Sequence, residues 1–201
     1  MRSEFINAVK THQAAFNIKL PAQTIEHLAD YYALVREHNP ILHLVGPCSP
    51  EEFAVRHILE SLAMLEYLPQ GARFADVGPG AGLPSIPCLI VRRDLKTVLI
   101  ESKVKKANFL VKAVADLGTA DRTRIVNRQF EEAGSEQFSV VACRALDKFA
   151  QKLPRLIKWA KGRRLLLFGG PALGEALSRL GVQHKRALLP ESEQRYLFIA
   201  K

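Results

Sequence analysis

Two hydrophobic rhythms divide the chain. Over the first 70 residues apolar positions recur at helical spacing: Phe5, Ile6 and Val9, then Ile25, Leu28, Tyr32 and Val35. Pro21 is placed to open the second of these helices and Pro40 to end it. A third helix is predicted over 50–67, with Ser49 as its cap and Pro50 at its first position. Glu51 and Glu52 suit its positive end.

From residue 72 the rhythm changes. Short apolar runs at 73–77, 97–100, 124–126, 138–143 and 164–168 alternate with amphipathic segments at 84–92, 103–117, 147–160 and 172–180. This alternation predicts an α/β fold with a mostly parallel sheet covered on both faces. The extended runs "HKRALLP" and "QRYLFIAK", joined by "ESEQ", read as a hairpin, so the sheet should finish with an antiparallel C-terminal strand. The expected organisation is a helical N-terminal cap over 1–70 and a Rossmann-like domain over 71–201.

In such a sheet, ligands bind beyond the carboxyl ends of the strands, near the first βα turn. That turn is "FADVGPGAGLPSIP", residues 74 to 87. Its glycines, Gly78, Gly80 and Gly82, stand at relative positions 1, 3 and 5, whereas a dinucleotide fingerprint places them at 1, 3 and 6. No phosphate-cradling GxxxxGK[ST] run exists, and the loop carries no lysine or arginine. Pyrophosphate is therefore poorly served. A nucleoside with a cationic centre is better served, with Asp76 as a nearby negative charge, and S-adenosylmethionine has that chemistry. Glu101 ends the second strand, where an acid can accept from both ribose hydroxyls. The same acid would equally cap the helix that follows.

Charge adds a partner. The chain has 201 residues with 29 Lys+Arg against 20 Asp+Glu, a formal net charge of +9, which favours a polyanion such as nucleic acid. Lys103, Lys105 and Lys106 follow the second strand, where they could hold RNA phosphates. Three widely spaced cysteines suggest neither a disulfide framework nor a metal module. The start lacks the apolar run of a signal peptide, and no stretch has the length of a membrane span. A soluble, cytoplasmic monomer without metal is expected.

These motifs together resemble the RsmG (GidB) family of bacterial 16S ribosomal RNA guanine-N7 methyltransferases. The resemblance rests on "EEFAVRHILESL", "FADVGPGAGLPSIP" and "ESKVKKANFL", extended by "FEE" at 130–132 and "CRAL" at 143–146. It implies a class I S-adenosylmethionine-dependent methyltransferase fold, S-adenosylmethionine as cofactor, and ribosomal RNA or the small subunit as partner. Cofactor contacts carry over to Gly78 and Leu83 in the loop, to Glu101 for the ribose, to Phe130 and Glu131 on the adenine side, and to Arg144 after the fourth strand. Arg56 and His57 belong to the signature of the cap, beside the mouth of the site. No catalytic residue is assigned.

The chain also departs from the family pattern. The usual W-N-x-x-x-N-L-T segment has His38 for Trp, His43 for Asn and Val45 for Thr. The usual Lys-Gly after the fifth strand reads Phe168-Gly169. A relative acting on a different RNA or other substrate, or an RNA-binding module that keeps the fold without catalysis, are the alternative readings.

Overall fold

The computed structural model describes residues 1–134, 138–144 and 149–201. The expected helix start at 147 and the end of "CRAL" lie outside the described residues. Helices α1 (Arg2–His12) and α2 (Ala22–Leu42) are followed by a helical stretch over 50–67, here α3. Then come β1 (Arg73–Val77), α4 (Ser85–Val91), β2 (Lys96–Ile100), α5 (Val104–Asp116), β3 (Thr123–Val126) and β4 (Val140–Arg144). The chain continues with α6 (Phe149–Trp159), β5 (Arg164–Gly169), α7 (Pro171–Arg179), β6 (His184–Leu188) and β7 (Tyr196–Ala200). Among the described residues no helix is long and apolar enough to cross a membrane.

The strands form one sheet in the order β3-β2-β1-β4-β5-β7-β6. The first five are parallel, and β7 enters antiparallel between β5 and β6. The alternation of strand and helix produces the parallel part, because a parallel connection needs a crossover. The expected hairpin supplies the antiparallel end.

The central strands alternate their side chains between two apolar cores. Phe74, Leu99, Ala142 and Leu166 join a core shared with α1, α2, α3, α4 and α5. Ala75, Val77, Val98, Val141 and Leu167 join the other, beneath α6 and α7. The N-terminal helices therefore pack on the same sheet face as α4 and α5. They are knit by aromatic rings: Phe5 stacks on Tyr32 with centroids 4.6 Å apart, and Phe53 meets Tyr32 at 4.9 Å.

Two helices differ from expectation. Pro40 does not end α2; it sits inside the last turn, and the helix runs to Leu42. The stop comes at His43, which takes the left-handed conformation (φ 47°) and donates its N–H to the Asn39 carbonyl at 2.9 Å. The stretch α3 begins as expected, with Ser49 and Glu52 forming a reciprocal capping box. It is not a regular α-helix. Phe53–Leu59 is π-helical, and the Glu60 N–H reaches back five residues to the Val55 carbonyl.

Candidate functional site

A cleft of about 540 Å³ opens at the carboxyl ends of β1, β2 and β4. Its floor is the glycine loop, Gly78 to Ala81 with Leu83. Glu101, Ser102 and Lys103 line the β2 side, Gln129 follows β3, and Arg144 ends β4. The cap closes the remaining side with Leu44, Val45, Gly46 and His57. Lys106 and Lys152 complete the rim.

The loop's shape follows from its glycines. Gly78, Gly80 and Gly82 have φ of 68°, 56° and 94°, a region that L side chains enter with strain. Gly82 is also required for space. A Cβ there would lie 2.3 Å from Cδ1 of Ile86 in α4. Gly80 faces the cleft, where a Cβ would meet only Nζ of Lys106, at 3.8 Å. The 1-3-5 spacing thus gives one glycine to packing and two to the ligand side.

Glu101 bonds both to the helix that follows and to the glycine loop. Its Oε1 accepts from the Lys103 N–H at 2.9 Å, at the entry to α5, and its Oε2 accepts from the Gly80 N–H at 3.1 Å. Each carboxylate oxygen keeps a further acceptor site. Its backbone is held as well, by Asn127 Nδ2 donating to the Glu101 carbonyl at 2.7 Å.

Asp76 corrects the sequence expectation. It does not line the cleft but lies wholly buried beneath the loop, where Ser85 Oγ donates to its Oδ2 at 2.5 Å. Burial pushes its pKa up to about 8, with the nearby Glu101 adding to the rise. Burial thus disfavours its charged form, and the carboxyl group does not reach the cleft. The strand period explains the placement: Asp76 shares a face with Phe74, the face covered by the N-terminal helices and α4.

On the β4 side, Arg144 is paired with the cap. Its Nη2 donates to Oε2 of Glu60 at 3.0 Å and to the Arg56 carbonyl at 2.5 Å. Arg195, from the turn before β7, donates to Oε1 of the same Glu60 at 2.5 Å. The Arg144 guanidinium also lies 5.4 Å from the ring centre of Phe168. Nη1 of Arg144 and Nδ1 of His57 are buried without a hydrogen-bond partner among the described residues. Burial, reinforced by Arg144, Arg56 and Arg195, lowers the His57 pKa to about 3, so the imidazole is neutral.

The remaining expected residues are scattered. Phe130 does not line the cleft; it packs against Trp159 in the second core, with centroids 5.7 Å apart. Glu131 is exposed and pairs with Arg155 at 3.1 Å. Arg56 points outward and pairs with Glu52 at 3.5 Å. Lys103 and Lys105 are exposed, and only Lys103 lines the cleft. Lys106 donates from Nζ to the His43 carbonyl at 3.2 Å, tying α5 to the cap loop.

Sequence reasoning missed Gln129, Lys152, Glu60 and Arg195. Gln129 had a signal, since it directly precedes the "FEE" segment just past β3. Glu60 had a weaker one, as an acid in an otherwise apolar run.

A model of the GidB family, rRNA small subunit methyltransferase G, matches residues 24–176. "Ribosomal RNA small subunit methyltransferase G" of Sorangium cellulosum is 35% identical over 161 residues, 77% of this chain and 67% of the relative. The protein of that name from Haemophilus influenzae is 36% identical over 132 residues, 66% of this chain and 64% of the relative. In Halorhodospira halophila it is 34% identical over 175 residues, 87% of this chain and 79% of the relative. The Haemophilus influenzae match thus spans slightly under two thirds of the relative's length.

Solved structures share the fold at low identity. The mitomycin 7-O-methyltransferase MmcR superposes with a TM-score of 0.60 at 17% identity, covering 85% of this chain and 60% of that one. A SAM-dependent methyltransferase from Aquifex aeolicus gives a TM-score of 0.56 at 15% identity, covering 76% and 93%. With the matching model spanning the cap signature, the glycine loop and all five parallel strands, the chain belongs to the GidB family, rRNA small subunit methyltransferase G.

Proposed function

We propose that this chain binds S-adenosylmethionine in the cleft and methylates N7 of a guanine in 16S ribosomal RNA. The observation that carries the reading is the placement of Glu101: its carboxylate is held against the Gly80 N–H in the wall of the cleft. The family relatives, named as ribosomal RNA small subunit methyltransferases, support the substrate class.

The residues fit the cofactor. A cleft of about 540 Å³ is of the size that takes a small-molecule ligand. Glu101 retains acceptor sites for ribose hydroxyls. Gly78 and Gly80 let the backbone approach closely, and no cation on the loop competes for space. Bound S-adenosylmethionine supplies an electrophilic methyl group on a sulfonium. Gln129 stands beyond Glu101 at the β3 end, where the nucleoside base would lie. Arg144 and His57 stand across β1, where the acceptor would enter.

The chain's contribution to the reaction is placement. Guanine N7 has an in-plane lone pair and no proton to lose, so no general base is required. The neutral His57 is consistent with that chemistry. Rate then comes from aligning nucleophile and methyl and from excluding water, tasks for the loop floor and for residues 1–70 acting as a cap. RNA phosphates would be held by Lys103 and Lys152 at the edge of the cleft and by Lys105 outside it.

A second reading, another RNA substrate, is favoured by one observation: Phe168 lies buried under Arg144, adding no polar group there. One experiment separates the two. Small subunits from a strain lacking the enzyme are incubated with labelled S-adenosylmethionine, and the product nucleoside is mapped. 7-Methylguanine in 16S RNA is expected. Tight cofactor binding without label in 16S RNA would favour the second reading, and absence of cofactor binding by calorimetry would sink both.

A further inference from the structure

Tyr31 lies in α2, far from the glycine loop in sequence and in contact with it in space. Its side chain is completely buried, and its hydroxyl donates to the carbonyl of Ala81 at 2.9 Å. Ala81 is the residue between Gly80 and Gly82. The preceding residue is held by a second element, since the Gly80 N–H donates to Glu101 Oε2 at 3.1 Å. One tether thus fixes an N–H and the other a C=O on adjacent residues. Together they set the orientation of the peptide units that floor the cleft.

The loop needs such tethers. Three of its residues are glycines at positive φ, and glycine retains access to both signs of φ. Local sequence therefore leaves the orientation of these peptide units underdetermined. Within the loop, the Gly82 and Leu83 N–H groups both donate to the Pro79 carbonyl, at 2.8 and 3.1 Å. These bonds close the turn but leave the Ala81 carbonyl to an outside donor. Tyr31 remains protonated as that donor, because burial raises its pKa, as does the proximity of Asp76.

We propose that Tyr31 is a positioning residue for the cofactor loop: through the Ala81 carbonyl, the N-terminal cap sets the loop geometry on which cofactor affinity depends. This rests on the reading of the cleft as an S-adenosylmethionine site.

The test uses the full chain with Tyr31→Phe, and Tyr32→Phe as control. Tyr32 is the adjacent buried tyrosine, but its ring stacks on Phe5 and its hydroxyl lies toward Arg36 rather than the loop. Calorimetry with S-adenosylmethionine should show binding about 5- to 20-fold weaker in Tyr31→Phe, the range expected when a buried carbonyl loses its donor. With small ribosomal subunits as acceptor, KM for the cofactor should rise while kcat changes less than about 2-fold. Hydrogen exchange at amides 78–83 should accelerate without cofactor present, with the rest of the sheet unchanged. Tyr32→Phe should move none of these. A Tyr31→Phe protein that melts lower but keeps parental affinity and loop exchange overturns the proposal. If the parent itself fails to bind S-adenosylmethionine, the cofactor reading falls, and loop exchange alone still decides whether Tyr31 positions the loop.

Discussion

The carboxylate of Glu60, in α3, accepts a hydrogen bond at 3.0 Å from Arg144, the last residue of β4. Glu60 is 1% exposed, and its second oxygen takes Arg195. One buried acid thus joins the cap, a central strand and the C-terminal hairpin. Removing it would leave two arginines facing each other without a counter-charge. Glu60→Gln should lower stability by about 3 kcal/mol, as for other buried pairs broken on one side. Urea denaturation of parent and variant measures it. A loss below about 1 kcal/mol would place the cluster with surface ion pairs.

Glu101 governs the cofactor rather than the fold. Glu101→Ala should weaken S-adenosylmethionine binding by about 10- to 100-fold, the value of one or two hydrogen bonds to a charged acceptor. Glu101→Gln keeps one acceptor oxygen and should lie between variant and parent. Calorimetry gives both numbers. Equal affinity for parent and Glu101→Ala would show that the acid serves only the entry to α5.

Gly82 and Gly80 should respond differently to alanine. Both have positive φ, so both substitutions strain the backbone by about 1–2 kcal/mol. Only Gly82→Ala also drives a Cβ into Ile86, at 2.3 Å from Cδ1. Its thermal midpoint should fall further than that of Gly80→Ala. The reverse order would contradict the assignment of Gly82 to packing.

His12 makes stability depend on pH. It bridges Glu191 at 2.8 Å and Glu51 at 3.1 Å, and its pKa is raised, chiefly by the hydrogen bond to Glu191. Because the folded value lies above the ordinary 6.5, this contribution is fully present below pH 6.5 and is lost as pH rises through the folded value. Melting curves of parent and His12→Gln should therefore differ most at pH below 6.5 and converge as pH rises through the folded value. A gap that does not change with pH would show that protonation plays no part.

Lys103 and Lys105 are exposed beside the cleft and free of the structural tie that Lys106 makes to His43. The double variant Lys103→Ala, Lys105→Ala should bind RNA more weakly and reduce the slope of log K against log salt by about 1.4 to 1.8, or 0.7 to 0.9 per phosphate contact. Filter binding across a salt series reads this directly. An unchanged slope would move the RNA path elsewhere.

Much of this site is local in the chain. The 1-3-5 glycines imply a loop at positive φ after β1, and Glu101 follows from ending the next strand, one βαβ unit later. Both depend on residues close in sequence and on strand period, so pattern alone finds them. The same period could have placed Asp76 under the loop, since it alternates with Ala75 and shares a face with Phe74. What hid it was the covering: beyond α4, burial of that face comes from the N-terminal helices, whose docking no local pattern specifies. Phe130 is similar. The family resemblance implied a contact on the adenine side, but Trp159, far along the chain, packs against it in the second core.

The order of strands and helices, the antiparallel finish and the ligand-facing loop were decided by hydrophobic period and glycine spacing, which act over a few residues. Three things were decided only by tertiary structure: which acid is buried beneath the loop, which arginine meets Glu60, and which tyrosine reaches Ala81. Each depends on burial, and the last two depend on partners 50 or more residues away. Desolvation and hydrogen-bond geometry exist only once the cap has closed on the sheet.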